Sequence, residues 1–214
     1  MPAGKMSEAG ARLIGYGAFG VGFCCGVWFL YRVGWGLLPI FVIGAVCVLV
    51  YTEFLARLGV GEIAAGLGLG ALPVVGTAMV QGGAPGPAAL AAAVPAFLIT
   101  FNLLLLNEFP DEVADRQGGR RNLVLVFGRK GGAWIYVLAA LLTPASILVA
   151  VAALRILPPI CALAALPSLL LLQPLRWALA DPFRPVPIPA LGANVIWNLG
   201  TNAALAATLA YSAA

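Results

Sequence analysis

The chain has 214 residues, 62% hydrophobic and only 9% charged, with 12 Lys and Arg against 8 Asp and Glu for a net charge of +4. Soluble domains carry roughly a quarter charged residues, so this composition excludes a water-dissolved globule and points to a chain that lives in a lipid bilayer. There is no histidine, which removes histidine metal sites, histidine general bases and Ser-His-Asp triads. No nucleic-acid partner is expected.

About 20 apolar residues cross the hydrocarbon core as a helix. Seven stretches qualify, near residues 12–31, 35–53, 61–81, 85–106, 131–154, 156–176 and 190–212. The predicted fold class is therefore all-α, a polytopic transmembrane helical bundle forming a single domain over residues 1–214. The first stretch follows Lys5 and Arg12 and is longer than the roughly 7–15-residue apolar core of a cleaved signal, so it reads as an anchor. The third carries Gly66 and Gly70, a small-xxx-small pair suited to close helix packing in lipid. Its run "GVGEIAAG" fails as a nucleotide fingerprint, because Ala64 stands where the third glycine belongs and no strand precedes it. Pro95 and Pro144 are expected to kink the fourth and fifth spans and open space for a ligand. Asn194, Asn198 and Asn202 recur every four residues in the last span; they either line a cavity or hydrogen-bond between helices. Cys24, Cys25, Cys47 and Cys161 lack the spacing of a zinc site and read as packing residues.

Alternating loops divide the basic residues unequally. Lys5, Arg12, Arg57, Arg116, Arg120, Arg121, Arg129, Lys130, Arg176 and Arg184 fall on one side, and only Arg32 and Arg155 on the other. By the positive-inside rule the N-terminus is cytoplasmic and the C-terminus lies outside. All eight acidic residues share the cytoplasmic side, although acids contribute little to topology. Ion-coupled transporters keep ionisable groups at mid-membrane, so a chain with its charges at one face reads as a catalyst or receptor working at that face.

The charge is densest in "NEFPDEVADRQGGRRNLVLVFGRKGG", residues 107–132, which holds Glu108, Asp111, Glu112 and Asp115 with five basic residues. On a helix Asp111 and Asp115 lie one turn apart on a shared face, and Glu108 extends it. Two neighbouring carboxylates repel and favour a cation. Mg²⁺ suits them, since it is commonly held by one or two carboxylates with water and phosphate oxygens completing the shell. Arg120 and Arg121 follow a Gly118–Gly119 turn and offer forked donors to the same phosphates. The plain alternative is a solvated loop, with Glu112 and Arg116 forming an exposed helix pair and Arg129 and Lys130 acting as topology anchors.

Asn107, Asp111, Asp115, Gly119, Arg120, Leu123 and Gly128 stand at the spacing N-x3-D-x3-D-x3-G-[KR]-x2-L-x4-G. This resembles the second aspartate-rich motif of the UbiA-type membrane prenyltransferases, most closely the dihydroxynaphthoate branch that makes menaquinone. "LGVGEIAAGLGLGALPVVGTAMVQGG" resembles the glycine-rich helix that precedes that motif in the family. The resemblance implies a nine-span bundle in an inner membrane, of which these are the last seven, and transfer of a polyprenyl group from its diphosphate to an aromatic quinone precursor. It implies Asp111 and Asp115 as catalytic Mg²⁺ ligands with Glu108 assisting, Arg120 and Arg121 on the diphosphate, and Asn107 as an orienting group.

Two departures accompany the resemblance. The family's first aspartate-rich motif and first two spans have no counterpart, so the expectation is a true start upstream of Met1, with a separately encoded N-terminal half or a catalytically inactive subunit of the same fold as the alternatives. The family's tyrosine followed four residues later by a basic residue is represented by Tyr51 with Leu55 at that distance, and Arg57 is taken as the substitute.

Overall fold

The computed structural model describes residues 7–82 and 84–213, without the side chains of residues 52 and 53. Lys5, counted among the cytoplasmic bases, and the Glu53 side chain lie outside the described residues. Among the described residues there is no strand. The helices are α1 (Glu8–Val33), α2 (Leu38–Val50), α3 (Ala56–Leu58), α4 (Gly61–Ala65), α5 (Leu72–Gly82), α6 (Pro87–Gln117), α7 (Leu123–Leu148), α8 (Leu172–Ala180) and α9 (Ile188–Ala213). Wider turns of π-helix at Tyr51–Leu55, Gly66–Ala71 and Val149–Ala153 and a 3₁₀ run at Pro159–Leu171 join several of these end to end.

Among the described residues the joined helices form seven rods in the order the sequence predicts. Five of them, Glu8–Val33, Gly61–Gly82, Pro87–Gln117, Leu123–Ala153 and Pro159–Ala180, are long and apolar enough to cross a membrane. Trp35–Val50 is apolar but shorter, and α9 is not among the five although it has 26 residues. Polar residues such as Asn194, Asn198 and Asn202 dilute its hydropathy.

The core forms around α6. Phe101, Leu105, Leu106 and Phe109 of α6 pack with Val124, Tyr136 and Val137 of α7, Trp177 of α8 and Ala190 of α9. A second cluster joins Ala92 of α6, Ile147 of α7, Cys161 and Ala164 of the 3₁₀ run, and Leu205 of α9. By contrast α1 buries no residue. Exposed Leu, Val and Ile side chains cover the rods, as expected where the surrounding solvent is hydrocarbon rather than water.

Gly66 and Gly70 behave as the spacing predicts. A Cβ on Gly70 would lie 2.4 Å from the Ala96 carbonyl oxygen, and one on Gly66 2.8 Å from the Phe97 ring. The two glycines let the third rod rest directly on the α6 backbone. Pro95 and Pro144 lie inside α6 and α7, both of which continue past them. α7 also breaks at Gly128, with φ 72° and ψ 166°, a region open essentially to glycine alone.

Of the asparagine stripe, Asn194 bonds between helices. Tyr136 Oη donates to Asn194 Oδ1 at 3.1 Å, Asn194 Nδ2 donates to the Asn102 carbonyl at 3.2 Å, and Asn102 Nδ2 donates to the Tyr136 carbonyl at 3.0 Å. This closed ring ties α6, α7 and α9 at a buried level. Asn202 bonds only the Asn198 carbonyl of its own helix.

Candidate active site

The charged segment does not begin as a loop. The predicted span ends at residue 106, whereas α6 continues to Gln117. Glu, Ala, Arg and Gln in that stretch are good helix formers. Pro110 removes only one backbone donor, and Phe109 anchors the extension edge-on against Trp177 with ring centroids 4.9 Å apart. Arg129 reaches back to donate to the Phe109 carbonyl at 3.2 Å and to Glu112 at 2.9 Å. It also donates to the carbonyls of Pro182 and Arg184. Arg129 is therefore a clamp between α6 and the 181–187 loop rather than a bare topology anchor.

Asp111 and Asp115 do share a continuous helix, one turn apart, but their surroundings differ. Asp115 is buried; its Oδ2 accepts from Asn122 Nδ2 at 2.9 Å and its Oδ1 from Arg120 Nη1 at 3.4 Å. The Arg120 backbone N–H donates to the Asp115 carbonyl at 2.9 Å. Gly119 adopts φ 73°, the left-handed turn that lets the chain curl back on the helix end. Asp111 is exposed and makes no hydrogen bond or ion pair with the described residues.

Glu108 turns inward. It lines a small polar hollow with Tyr51, Ala56, Gly61, Glu62, Asp115, Arg120, Arg121 and Asn122. Glu62, from α4, is fully buried and its Oε1 accepts the Leu123 N–H at 2.5 Å. Glu62 Oε2 and Glu108 Oε2 are buried without a partner among the described residues. The hollow holds only about 10 Å³, at the lower limit for one water molecule. The hollow is too small for any ligand larger than that, and Arg120 and Arg121 line it.

A larger apolar groove also borders Tyr51. Its volume is about 540 Å³, bounded by Gly44, Cys47 and Val48 of α2, Ala64, Ala65, Gly68 and Leu69 of the third rod, and Thr100, Leu103, Leu104 and Asn107 of α6. That volume falls within the range of small-ligand pockets. Val48 and Leu69 are 66% and 77% exposed, so the groove opens on the surface that meets lipid. Tyr51 lines both the groove and the polar hollow. Two of the three π-helical turns, Tyr51–Leu55 and Gly66–Ala71, border it, and such turns often mark functional sites.

The structure thus brings Tyr51, Glu108, Asp115, Arg120 and Arg121 together, with Asn107 at the groove, its Nδ2 donating to the Leu103 carbonyl at 2.9 Å. Arg57 is exposed on α3 and lies outside the lining of both hollows. Among the described residues no group of three or more Asp, Glu, Cys or His side chains is arranged to hold a metal. Asp111 and Asp115, one turn apart on α6, are the two carboxylates that could hold Mg²⁺, with water and phosphate oxygens completing its shell. Glu108 lines the small hollow together with both Asp115 and Glu62.

Glu62, Asn122 and the clamp role of Arg129 are absent from the sequence-derived site. Two of them carried a signal. Asn122 directly precedes an apolar helical run, the usual N-cap position, and its Oδ1 accepts the Leu125 N–H at 2.8 Å. Glu62 is a lone acid in a glycine-rich apolar span, where ionisable groups are expensive and mark function.

The model of the UbiA prenyltransferase family matches residues 1–199 of the chain. Neither a curated protein nor a solved structure matches it.

Proposed function

The chain belongs to the UbiA prenyltransferase family, and from that premise we propose that it transfers a polyprenyl group from polyprenyl diphosphate to an aromatic quinone precursor such as 1,4-dihydroxy-2-naphthoate. The observation that carries this is the position of Tyr51, shared by an apolar groove of about 540 Å³ and a charged edge. A lipid-linked diphosphate has those two parts: a hydrocarbon tail for the groove and a polyanion for the arginines.

Catalysis then follows from charge placement. The C–O bond at the first prenyl carbon breaks, the diphosphate leaves with the electron pair, and the ring carbon forms the new C–C bond while losing its proton. Arg120 and Arg121 face the growing negative charge on the leaving group, and fixed cations at that point lower the barrier more than they stabilise the bound substrate. Asp111 and Asp115 would hold Mg²⁺, which supplies Lewis-acid stabilisation of the departing oxygens when bound. Asn107 and Tyr51 border the place where the tail meets the diphosphate and orient the donor there. The apolar walls exclude water from the allylic carbon, which favours the aromatic nucleophile over hydrolysis. We place this site at the cytoplasmic leaflet of a cell membrane, with the N-terminus inside and the C-terminus outside, on the distribution of basic residues.

The test is an assay of membranes containing the chain, given Mg²⁺, prenyl diphosphates of several lengths, and either 1,4-dihydroxy-2-naphthoate or 4-hydroxybenzoate. Prenylated naphthoate is the expected product. Prenylation of the benzoate alone would move the acceptor assignment. No product with any acceptor, from folded chain, would favour the inactive-subunit alternative.

A further inference from the structure

We propose that Glu62 is a positioning residue for the diphosphate end of this site, fixing the Arg120–Asn122 turn by holding the Leu123 N–H; the inference rests on the prenyl-transfer function proposed above. Burying a carboxylate is costly unless partners compensate it, yet Glu62 is 0% exposed. Its hydrogen bond comes from a residue 61 positions away in sequence, the Leu123 N–H at 2.5 Å. Leu123 is the first residue of α7, and the first N–H groups of a helix have no partner within it. The positive end of the helix also favours a negative group beside it. Asn122 and Glu62 divide the work: the Asn122 side chain takes the Leu125 N–H, and Glu62 takes that of Leu123.

The rest of the turn is pinned to the same segment. The Arg121 N–H donates to the Ala56 carbonyl at 2.8 Å. Gly59, at φ +80°, lies so close that a Cβ would stand 3.3 Å from the Arg121 carbonyl oxygen. Residues 56–62 therefore form a cradle, and the 120–123 turn is fastened to it at both ends. The guanidinium groups of Arg120 and Arg121 hang from that turn. Release of the Leu123 end frees them to sample other positions, and a weaker grip on diphosphate follows, since preorganisation sets the affinity of such sites.

Proline is the clean probe of the bond. At the first helical position it is favoured and lacks the backbone N–H, Leu123→Ala controls for the loss of the Leu123 side chain that packs against the core, and Asn122 before it is already extended, with φ −94° and ψ 171°, as a residue before proline requires. The experiment measures binding of magnesium pyrophosphate to the purified chain in lipid nanodiscs for the parent, Glu62→Ala, Leu123→Pro, the double variant, Glu62→Gln and the Leu123→Ala control. Glu62→Ala and Leu123→Pro should each raise Kd by about tenfold, and the double variant by no more than either alone. Glu62→Gln retains an acceptor of the same shape and should bind within about threefold of the parent. In the transferase assay the Ala variant should raise KM for the prenyl diphosphate more than it lowers kcat. If Glu62→Ala does not fold, the Pro variant decides alone. Unchanged Kd in a destabilised Ala or Pro variant, or additive losses in the double variant, would overturn the proposal. A parent chain that binds no pyrophosphate would overturn the prenyl-transfer function, and this inference with it.

Discussion

Asn122 and Asp115 are joined across the turn that ends α6. Asn122 Nδ2 donates to Asp115 Oδ2 at 2.9 Å while Asn122 Oδ1 accepts the Leu125 N–H at 2.8 Å. One side chain thus locks an acidic residue of one helix to the first turn of the next. Replacing it with Ala removes a helix cap and leaves a buried carboxylate short of a donor. A loss of about 1–2 kcal/mol is expected, read by thermal unfolding in detergent, together with reduced turnover. Asn122→Asp keeps the cap but sets a second carboxylate against Asp115, so it should not restore stability.

Asp111 and Asp115 should separate in mutagenesis. Asp111 is exposed and has no partner among the described residues, so Asp111→Asn is expected to change stability by less than about 0.5 kcal/mol. It should nevertheless lower turnover by about a hundredfold or more if it holds the ion on the diphosphate. Asp115→Asn should lower both, because Asp115 also anchors Arg120 and Asn122. Parallel turnover and unfolding measurements distinguish the two patterns.

Gly70 tests the packing of the third rod on α6. The Cβ of Gly70→Ala would sit 2.4 Å from a backbone oxygen, so the helices must move apart. A loss of about 1–3 kcal/mol is expected, whereas Gly82→Ala, where a Cβ meets nothing within 4 Å, should be nearly neutral. Comparison of the two melting curves checks this.

Gly128 tests the break in α7. Only glycine readily adopts its backbone angles, so Gly128→Ala should lose about 1–3 kcal/mol and free the Arg129 clamp from the 181–187 loop. Limited proteolysis near Phe183 should accelerate in that variant.

Tyr136 and Asn194 should be energetically coupled. Single substitutions Tyr136→Phe and Asn194→Leu, with the double variant, are expected to give a coupling energy of about 0.6–1.7 kcal/mol, the range for hydrogen bonds between membrane helices. A coupling near zero would mean the ring does not contribute to holding the bundle.

Composition and hydrophobic runs alone determined the all-helical class and the order of the seven rods, because a helix in lipid satisfies its own backbone and leaves its length and apolarity visible in sequence. The spacing of Asp111 and Asp115, the turn glycines of the motif and the Gly66–Gly70 contact were equally legible, since each depends on residues a few positions apart. Only the tertiary structure decided that α6 runs through Pro110 to Gln117, that Glu62 joins Glu108 and Asp115 around one small hollow, and that Asn194 binds Tyr136 instead of facing a cavity. It also decided the place of Glu62, whose partner is 61 residues away. Local periodicity states which residues share a face of one helix; which neighbour that face meets depends on how all the rods pack at once.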